Sequence, residues 1–217
     1  PQAVELGFRA GLPTLELKLA VNDRLQLPER DACEAKIRQL IGDYIVGEND
    51  DGLAQIVVES LQRENKKVAL AESCTGGRIA SELTSIAGAS TIFELGVVSY
   101  SNTVKHNVLA VPTDVLTQYG AVSEQVVRAM ALGVLHRSQA DIAVAVSGVA
   151  GPDGGSEEKP VGTVWLAWGA RENLRTAKFF LPVKRSMFQT LVAAIGLDLV
   201  RRYLKGEYAV PQYFGRN

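Results

Sequence analysis

The chain has 217 residues, with 23 basic and 24 acidic side chains, a net charge of −1 and a hydrophobic fraction of 47%. Such a composition can fill a core in one or two domains and excludes a disordered chain. The near-neutral balance removes whole-chain basicity as a case for nucleic-acid binding, and no apolar run reaches the ~20 residues of a membrane span.

The first ~50 residues form their own pattern. Thr14 to Val21 alternates, with Leu15, Leu17, Leu19 and Val21 opposite Glu16 and Lys18, which predicts a strand with one buried face. Glu29 to Asp43 places Cys33, Ile37, Leu40 and Ile41 at helical spacing, with Cys33 packing as a small hydrophobe. The polar stretch Gly47–Gly52 then marks a boundary, giving a small α+β domain at 1–50 and a larger domain at 51–217. Their charges differ, net −3 and net +2. Pro1 follows no basic-then-apolar leader, and the chain reads as an internal piece whose upstream neighbour has been cut away.

In the larger part a helix is predicted over Leu53–Gln62, then an apolar strand over Val68–Ala71, a glycine turn and a helix over Arg78–Ser85. A second strand follows near Leu95–Tyr100. Ser123 can cap a helix that buries Val126, Val127, Met130, Ala131, Val134 and Leu135. Ile142–Val146 is apolar at every position, as a strand covered on both faces should be. Val164–Trp168 and Leu174–Leu181 read as a hairpin, with Trp165 and Trp168 on opposite faces as packing residues. A last helix, Ser186–Leu204, ends at Gly206. Interleaved strands and helices predict a three-layer α/β/α domain whose sheet is mixed because of the late hairpin.

Three segments that follow apolar strands could carry chemistry. In Ala71-Glu72-Ser73-Cys74-Thr75-Gly76-Gly77 a strand meets a helix start, where free backbone N–H groups could hold a phosphate or a developing oxyanion. Ser73 is placed as a nucleophile would be; the same letters also suit a plain turn with Ser73 or Thr75 as the helix cap. Tyr100 and Lys105 can project from a strand-end loop onto the same sheet edge. A lysine serves as base only when neutral, so its pKa must fall; a solvated charge at a helix start is the alternative. Ser147 to Gly155 holds four glycines and a proline after the most buried strand, at the edge where ligands of open α/β sheets collect. Lys184 and Arg185 lie before the last helix, where cations are unfavourable unless an anionic ligand is near.

Other groups fit less well. The chain has two histidines; His136 suits the last turn of its helix, and His106 leaves a Ser-His arrangement hard to build. Cys74 is a conceivable thiolate, with His106 as its base, or simply a small buried residue. Two cysteines make neither a disulfide framework nor a four-ligand zinc site, which fits a reducing cytoplasm, and no ligand cluster has metal spacing, so neither metal nor cofactor is expected.

Together AESCTGG at 71–77, SYSNTVKHNVLAV at 99–111, GAVSEQVV at 120–127 and SGVAGPDGGSEEKPVGTVW at 147–165 resemble the nicotinamide mononucleotide deamidases that form the C-terminal domain of CinA-type proteins. The resemblance runs over roughly 53–204. It implies hydrolysis of the carboxamide of nicotinamide mononucleotide, with Ser73 as nucleophile, Lys105 as general base and Tyr100 assisting. It places Cys74, Thr75, Gly76, Gly77, Asn102, Ser147, Gly148, Gly151 and Arg185 around the substrate. Residues 1–50 resemble the small KH-like connecting domain of such proteins, but their acidic balance and missing G-x-x-G loop argue against RNA binding. The upstream domain of that family would be absent. A cytoplasmic homo-oligomer with a small-molecule nucleotide substrate is expected, the alternative being a nucleotide-binding or scaffold module without turnover.

Overall fold

The computed structural model describes residues 3–49, 51–211 and 213, and the chain divides into two compact units, Pro1–Asp50 and Asp51–Asn217. In the first, strands β1 (Glu5–Gly11) and β2 (Thr14–Ala20) pair antiparallel, and helix α1 (Leu27–Ile41) follows. The register puts Leu6, Phe8, Leu15, Leu17 and Leu19 on one face of the ribbon. The expected buried face is not buried: none of residues 3–49 is, and Phe8 and Leu15 stay 63% and 62% exposed. A two-stranded ribbon with one helix has too little surface of its own to cover that face. Strand β1 is absent from the sequence-based expectation, where Gly7 weakens its short alternation.

The second unit runs α2 (Leu53–Arg63), β3 (Val68–Glu72), α3 (Arg78–Thr84), β4 (Phe93–Val98), α4 (Asn102–Leu109), α5 (Thr113–Tyr119), α6 (Glu124–Arg137), β5 (Ile142–Gly148), β6 (Thr163–Gly169), β7 (Arg175–Phe180) and α7 (Arg185–Leu204). Its sheet has the order β4-β3-β5-β6-β7, with β3 parallel to both neighbours and the β5-β6-β7 pairs antiparallel. It is a mixed sheet, as expected. Helix α6 lies over a face of small residues, Ala69, Ala71, Ala143, Ala145 and Ala167, which lets its Val126, Val127, Met130, Ala131 and Val134 approach closely. The opposite face carries Val144 and Leu166, which pack near Gly196 of α7. Helices α2 and α3 join α7 there, so the domain has three layers. Trp165 packs with the α6-side cluster, and Trp168 is buried on the other face.

This topology gathers loops at one edge. Strands β4, β3, β5 and β7 all point the same way, so their carboxyl ends, and the amino end of α7, lie along one rim. One element differs from the reading above in a way that matters there. Lys105 sits not in a strand-end loop but one turn into α4, a helix capped by the Ser101 hydroxyl, which accepts from the Val104 N–H at 3.2 Å.

Candidate active site

Ser73 is the first residue after β3. Its N–H donates to the Val146 carbonyl at 3.0 Å and the Ser99 N–H donates to the Glu72 carbonyl at 2.7 Å, so the ends of all three parallel strands are stitched around it. The chain then turns sharply through Gly76 (φ +65°) and Gly77 (φ +95°), left-handed conformations suited to glycine. Neither Ser73 nor Thr75 caps α3. The buried Glu72 carboxylate does, accepting from the N–H groups of Gly77 (3.0 Å), Ile79 (3.1 Å) and Ala80 (2.8 Å). The helix start that could have received a phosphate is therefore filled by the chain's own anion.

Lys105 reaches Ser73 from the other side of the sheet edge. Its side chain is 1% exposed, and its Nζ lies 3.1 Å from Ser73 Oγ and 2.7 Å from the Ser99 carbonyl oxygen. No carboxylate forms a salt bridge with it among the described residues. Burial lowers its pKa below the usual lysine value, because the ammonium has lost water and gained no counter-charge. As a neutral amine it can donate to the Ser99 carbonyl and accept the Ser73 O–H.

Competing nucleophile–base pairs are not assembled. Burial pushes the Cys74 thiol up to about 12, so it carries no thiolate at neutral pH. His106 lies against the Val111 carbonyl, its Nδ1 2.9 Å from that oxygen, and does not line the cavity.

Ser73 and Lys105 open onto a cavity of about 210 Å³ that Cys74, Tyr100, Ser147, Gly148 and Arg185 also line. Ser147 Oγ donates to the Ala121 carbonyl at 2.8 Å and so ties the wall formed by Ala121 and Val122. Arg185, in the first turn of α7, donates through Nη1 to the Gly151 carbonyl (2.9 Å) and through Nη2 to the Tyr100 hydroxyl (2.8 Å). The Tyr100 hydroxyl is thus engaged with Arg185 rather than with Ser73 or Lys105. Thr75, Gly76, Gly77, Asn102 and Gly151 do not line the cavity, and Asn102 is exposed at the start of α4. Ala121 and Val122 escaped the sequence reading of the site, whereas Ala150 belongs to the Ser147–Gly155 segment and Glu72, which the sequence leaves free to cap or to orient, is the cap. A larger hollow of about 390 Å³ at the opposite edge, with Lys66, Asp141, Arg171, Glu172 and Tyr203, offers no nucleophile beside a base.

Among the described residues no three His, Cys, Asp or Glu side chains cluster as metal ligands, and no helix is long and apolar enough to cross a membrane.

The CinA C-terminal domain family matches residues 50–204. A CinA-like protein of Colwellia psychrerythraea is 53% identical over 216 residues, 98% of this chain and 50% of that protein. One from Akkermansia muciniphila is 52% identical over 88% of this chain and 46% of its own length. The chain spans about half the length of these curated relatives. Among solved structures, competence/damage inducible protein CihA from Agrobacterium tumefaciens superposes with a TM-score of 0.68 at 40% identity, covering 73% of this chain and 99% of that one. A CinA superfamily protein from Klebsiella pneumoniae gives 0.70 at 34% identity, covering 73% and 99%.

Proposed function

The chain belongs to the CinA C-terminal domain family, and we propose that it is an amidohydrolase that converts nicotinamide mononucleotide to nicotinate mononucleotide and ammonia. The observation that carries this is a serine hydroxyl 3.1 Å from a lysine amine that is buried without a counter-ion. A surface lysine would be protonated at neutral pH and useless as a base; burial is what makes the amine available.

In the proposed cycle Ser73 Oγ attacks the carboxamide carbon while Lys105 Nζ takes its proton. The carbonyl oxygen becomes an oxyanion held by backbone N–H groups of the turn after Ser73. Lys105 returns the proton to the departing nitrogen, the C–N bond breaks, and ammonia leaves an acyl ester on Ser73. Water then gives its proton to Lys105 and attacks the ester carbon. Ser73 leaves with that proton, and the carboxylate product is released. The pyridinium charge of the substrate makes the carboxamide carbon more electrophile-like. Arg185, with the Tyr100 hydroxyl on the same guanidinium, would bind the phosphate, and Ser147 and Gly148 would wall the ring. Residues 1–50 precede all but the first residue of the family match and are proposed to serve as a connecting domain.

Incubation with nicotinamide mononucleotide is expected to release ammonia, and Ser73→Ala is expected to lose at least about 10³-fold of kcat while melting like the parent. A folded wild-type chain that releases none above buffer, or a Ser73→Ala variant that retains turnover, would overturn the assignment.

A further inference from the structure

We propose that Gln189 is a positioning residue for this hydrolysis: its amide holds the Cys74 carbonyl and thereby sets the direction of the Thr75 N–H, one of the donors to the oxyanion. The proposal rests on Ser73 being the nucleophile.

Between Ser73 and Ala80 nearly every backbone amide is taken. Ser73 N–H goes to Val146, Gly76 N–H to the Ser73 carbonyl at 3.1 Å, Arg78 N–H to the Thr75 carbonyl at 3.3 Å, and those of Gly77, Ile79 and Ala80 to the Glu72 carboxylate. Only the N–H groups of Cys74 and Thr75 find no oxygen acceptor among the described residues. Both residues are buried, at 4% and 3% exposed; Thr75 itself does not line the cavity, but the peptide unit that carries its N–H begins at Cys74, which does. Buried backbone donors are almost always paired, so two adjacent orphans beside a nucleophile mark a place for an oxygen that the chain itself does not supply.

A peptide unit is planar and trans, so a carbonyl and the N–H of the next residue point in opposite directions. Each orphan amide is therefore aimed by whatever holds the carbonyl of its own unit. For Cys74 N–H the holder is local: the Ser73 carbonyl is bound by Gly76 N–H within the same turn. For Thr75 N–H the holder is remote. Gln189, one turn into α7, donates its Nε2–H to the Cys74 carbonyl at 2.9 Å. The same helix carries Arg185, so α7 supplies the cavity wall and braces the turn through two side chains one turn apart. Without Gln189 the Cys74–Thr75 unit would lose the one bond that fixes its rotation, while Ser73 and Lys105 would be untouched.

The test compares Gln189→Met and Gln189→Glu with the wild-type chain. Methionine keeps the length and removes the donor; glutamate sets a carboxylate against the carbonyl. Loss of one oxyanion donor typically lowers kcat by about 10²–10³, so a misaimed donor should lower it by about 10- to 100-fold. KM for nicotinamide mononucleotide should stay within about twofold, because the ground-state amide oxygen gains little from the donor. Retained kcat in either folded variant, or a loss confined to KM, would overturn the proposal. A merely structural role would not give that split. Thermal melts identify a variant that fails to fold, and because Gln189 is only half-buried the two substitutions of different polarity keep one variant measurable should the other not fold.

The rate at which a fluorophosphonate modifies Ser73 carries the same comparison without any nicotinamide substrate, since its phosphoryl oxygen needs the same donors. If the wild type is modified at Ser73 but leaves nicotinamide mononucleotide intact, the substrate assignment fails while the Gln189 comparison still decides. If Gln189→Met is modified as fast as the wild type, the positioning role fails alone. If Ser73 is not modified in the wild type, both fall.

Discussion

Lys105 holds its amine where a proton is poorly tolerated, and this has two consequences of opposite kind. The first concerns activity. As the proposed base Lys105 must be neutral, so kcat/KM should fall as pH drops through its lowered pKa, with the slope of a single proton. Lys105→Met should lose about 10²–10⁴-fold of kcat and abolish that limb, which a pH–rate profile by ammonia release would check. The second concerns stability. In the unfolded chain the amine titrates near 10.5, and in the folded chain it titrates lower. Between those values the unfolded state binds more protons, so stability rises with pH, and the burdened condition is the acidic side. The melting-temperature gap of Lys105→Met over the wild type should therefore narrow as pH rises from the lowered value toward 10.5. A gap independent of pH would mean that Lys105 titrates normally. Glu72 is the complementary case, a buried carboxylate that serves the turn by accepting three N–H groups. Glu72→Gln turns an NH₂ toward one of those donors, and should cost about 2 kcal/mol, or about 4–8 °C in Tm by calorimetry.

Helix α4 is the element on which the site depends most and the one the sequence concealed best. Its only buried positions are Lys105 and Leu109, so a hydrophobic pattern sees one apolar anchor where the structure has two. Ala110, in the left-handed region, and Pro112 then cut the segment into α4 and α5, each too short to show a period. By contrast β5, α6 and α7 were legible because their apolar residues continue long enough to display their spacing. The rim itself was legible through polar and glycine residues placed just after apolar strands, which is why Ser73, Tyr100, Ser147 and Arg185 could be singled out one by one. Gln189 was not, since a glutamine on a helix has no spacing signal and its partner is the Cys74 carbonyl 115 residues away. The packing that seats α4 is nonetheless written in a single glycine. Gly133 of α6 faces the end of α4 so closely that a methyl group there would come within 2.0 Å of the Leu109 carbonyl oxygen. Gly133→Ala must push α4 outward. It should destabilise by about 2 kcal/mol, measured by denaturant unfolding, and lower kcat by about tenfold or more because Lys105, the proposed base, moves with its helix and small misplacements of such a group are costly. Loss of stability with full activity would show that the strain is absorbed elsewhere.

At the scale of the whole molecule, burial is distributed unevenly between the two units. Among the described residues every buried one lies between Leu53 and Arg202, and all the cavity residues belong to the second unit. None of the described residues of the first unit is buried to resist opening, while β3 and β5 are buried at nearly every position. Local opening free energy follows buried apolar contact, so amides of β1, β2 and α1 should exchange hydrogen well before those of β3 and β5. The crystallised Agrobacterium chain is covered over 99% of its length by 73% of this chain, so a chain of about that size with this fold is ordered in a crystal. A fragment comprising residues 51–217 is therefore expected to fold and to keep kcat for nicotinamide mononucleotide within about twofold, since the hydroxyl, the amine, the guanidinium and every hydrogen bond that positions them remain. Thermal melting and ammonia release on the purified fragment would check this. A folded fragment with much reduced kcat would mean that residues 1–50 contribute to catalysis in a way that the cavity does not reveal. An unfolded one would mean that the larger unit draws stability from the smaller, despite holding the whole buried core.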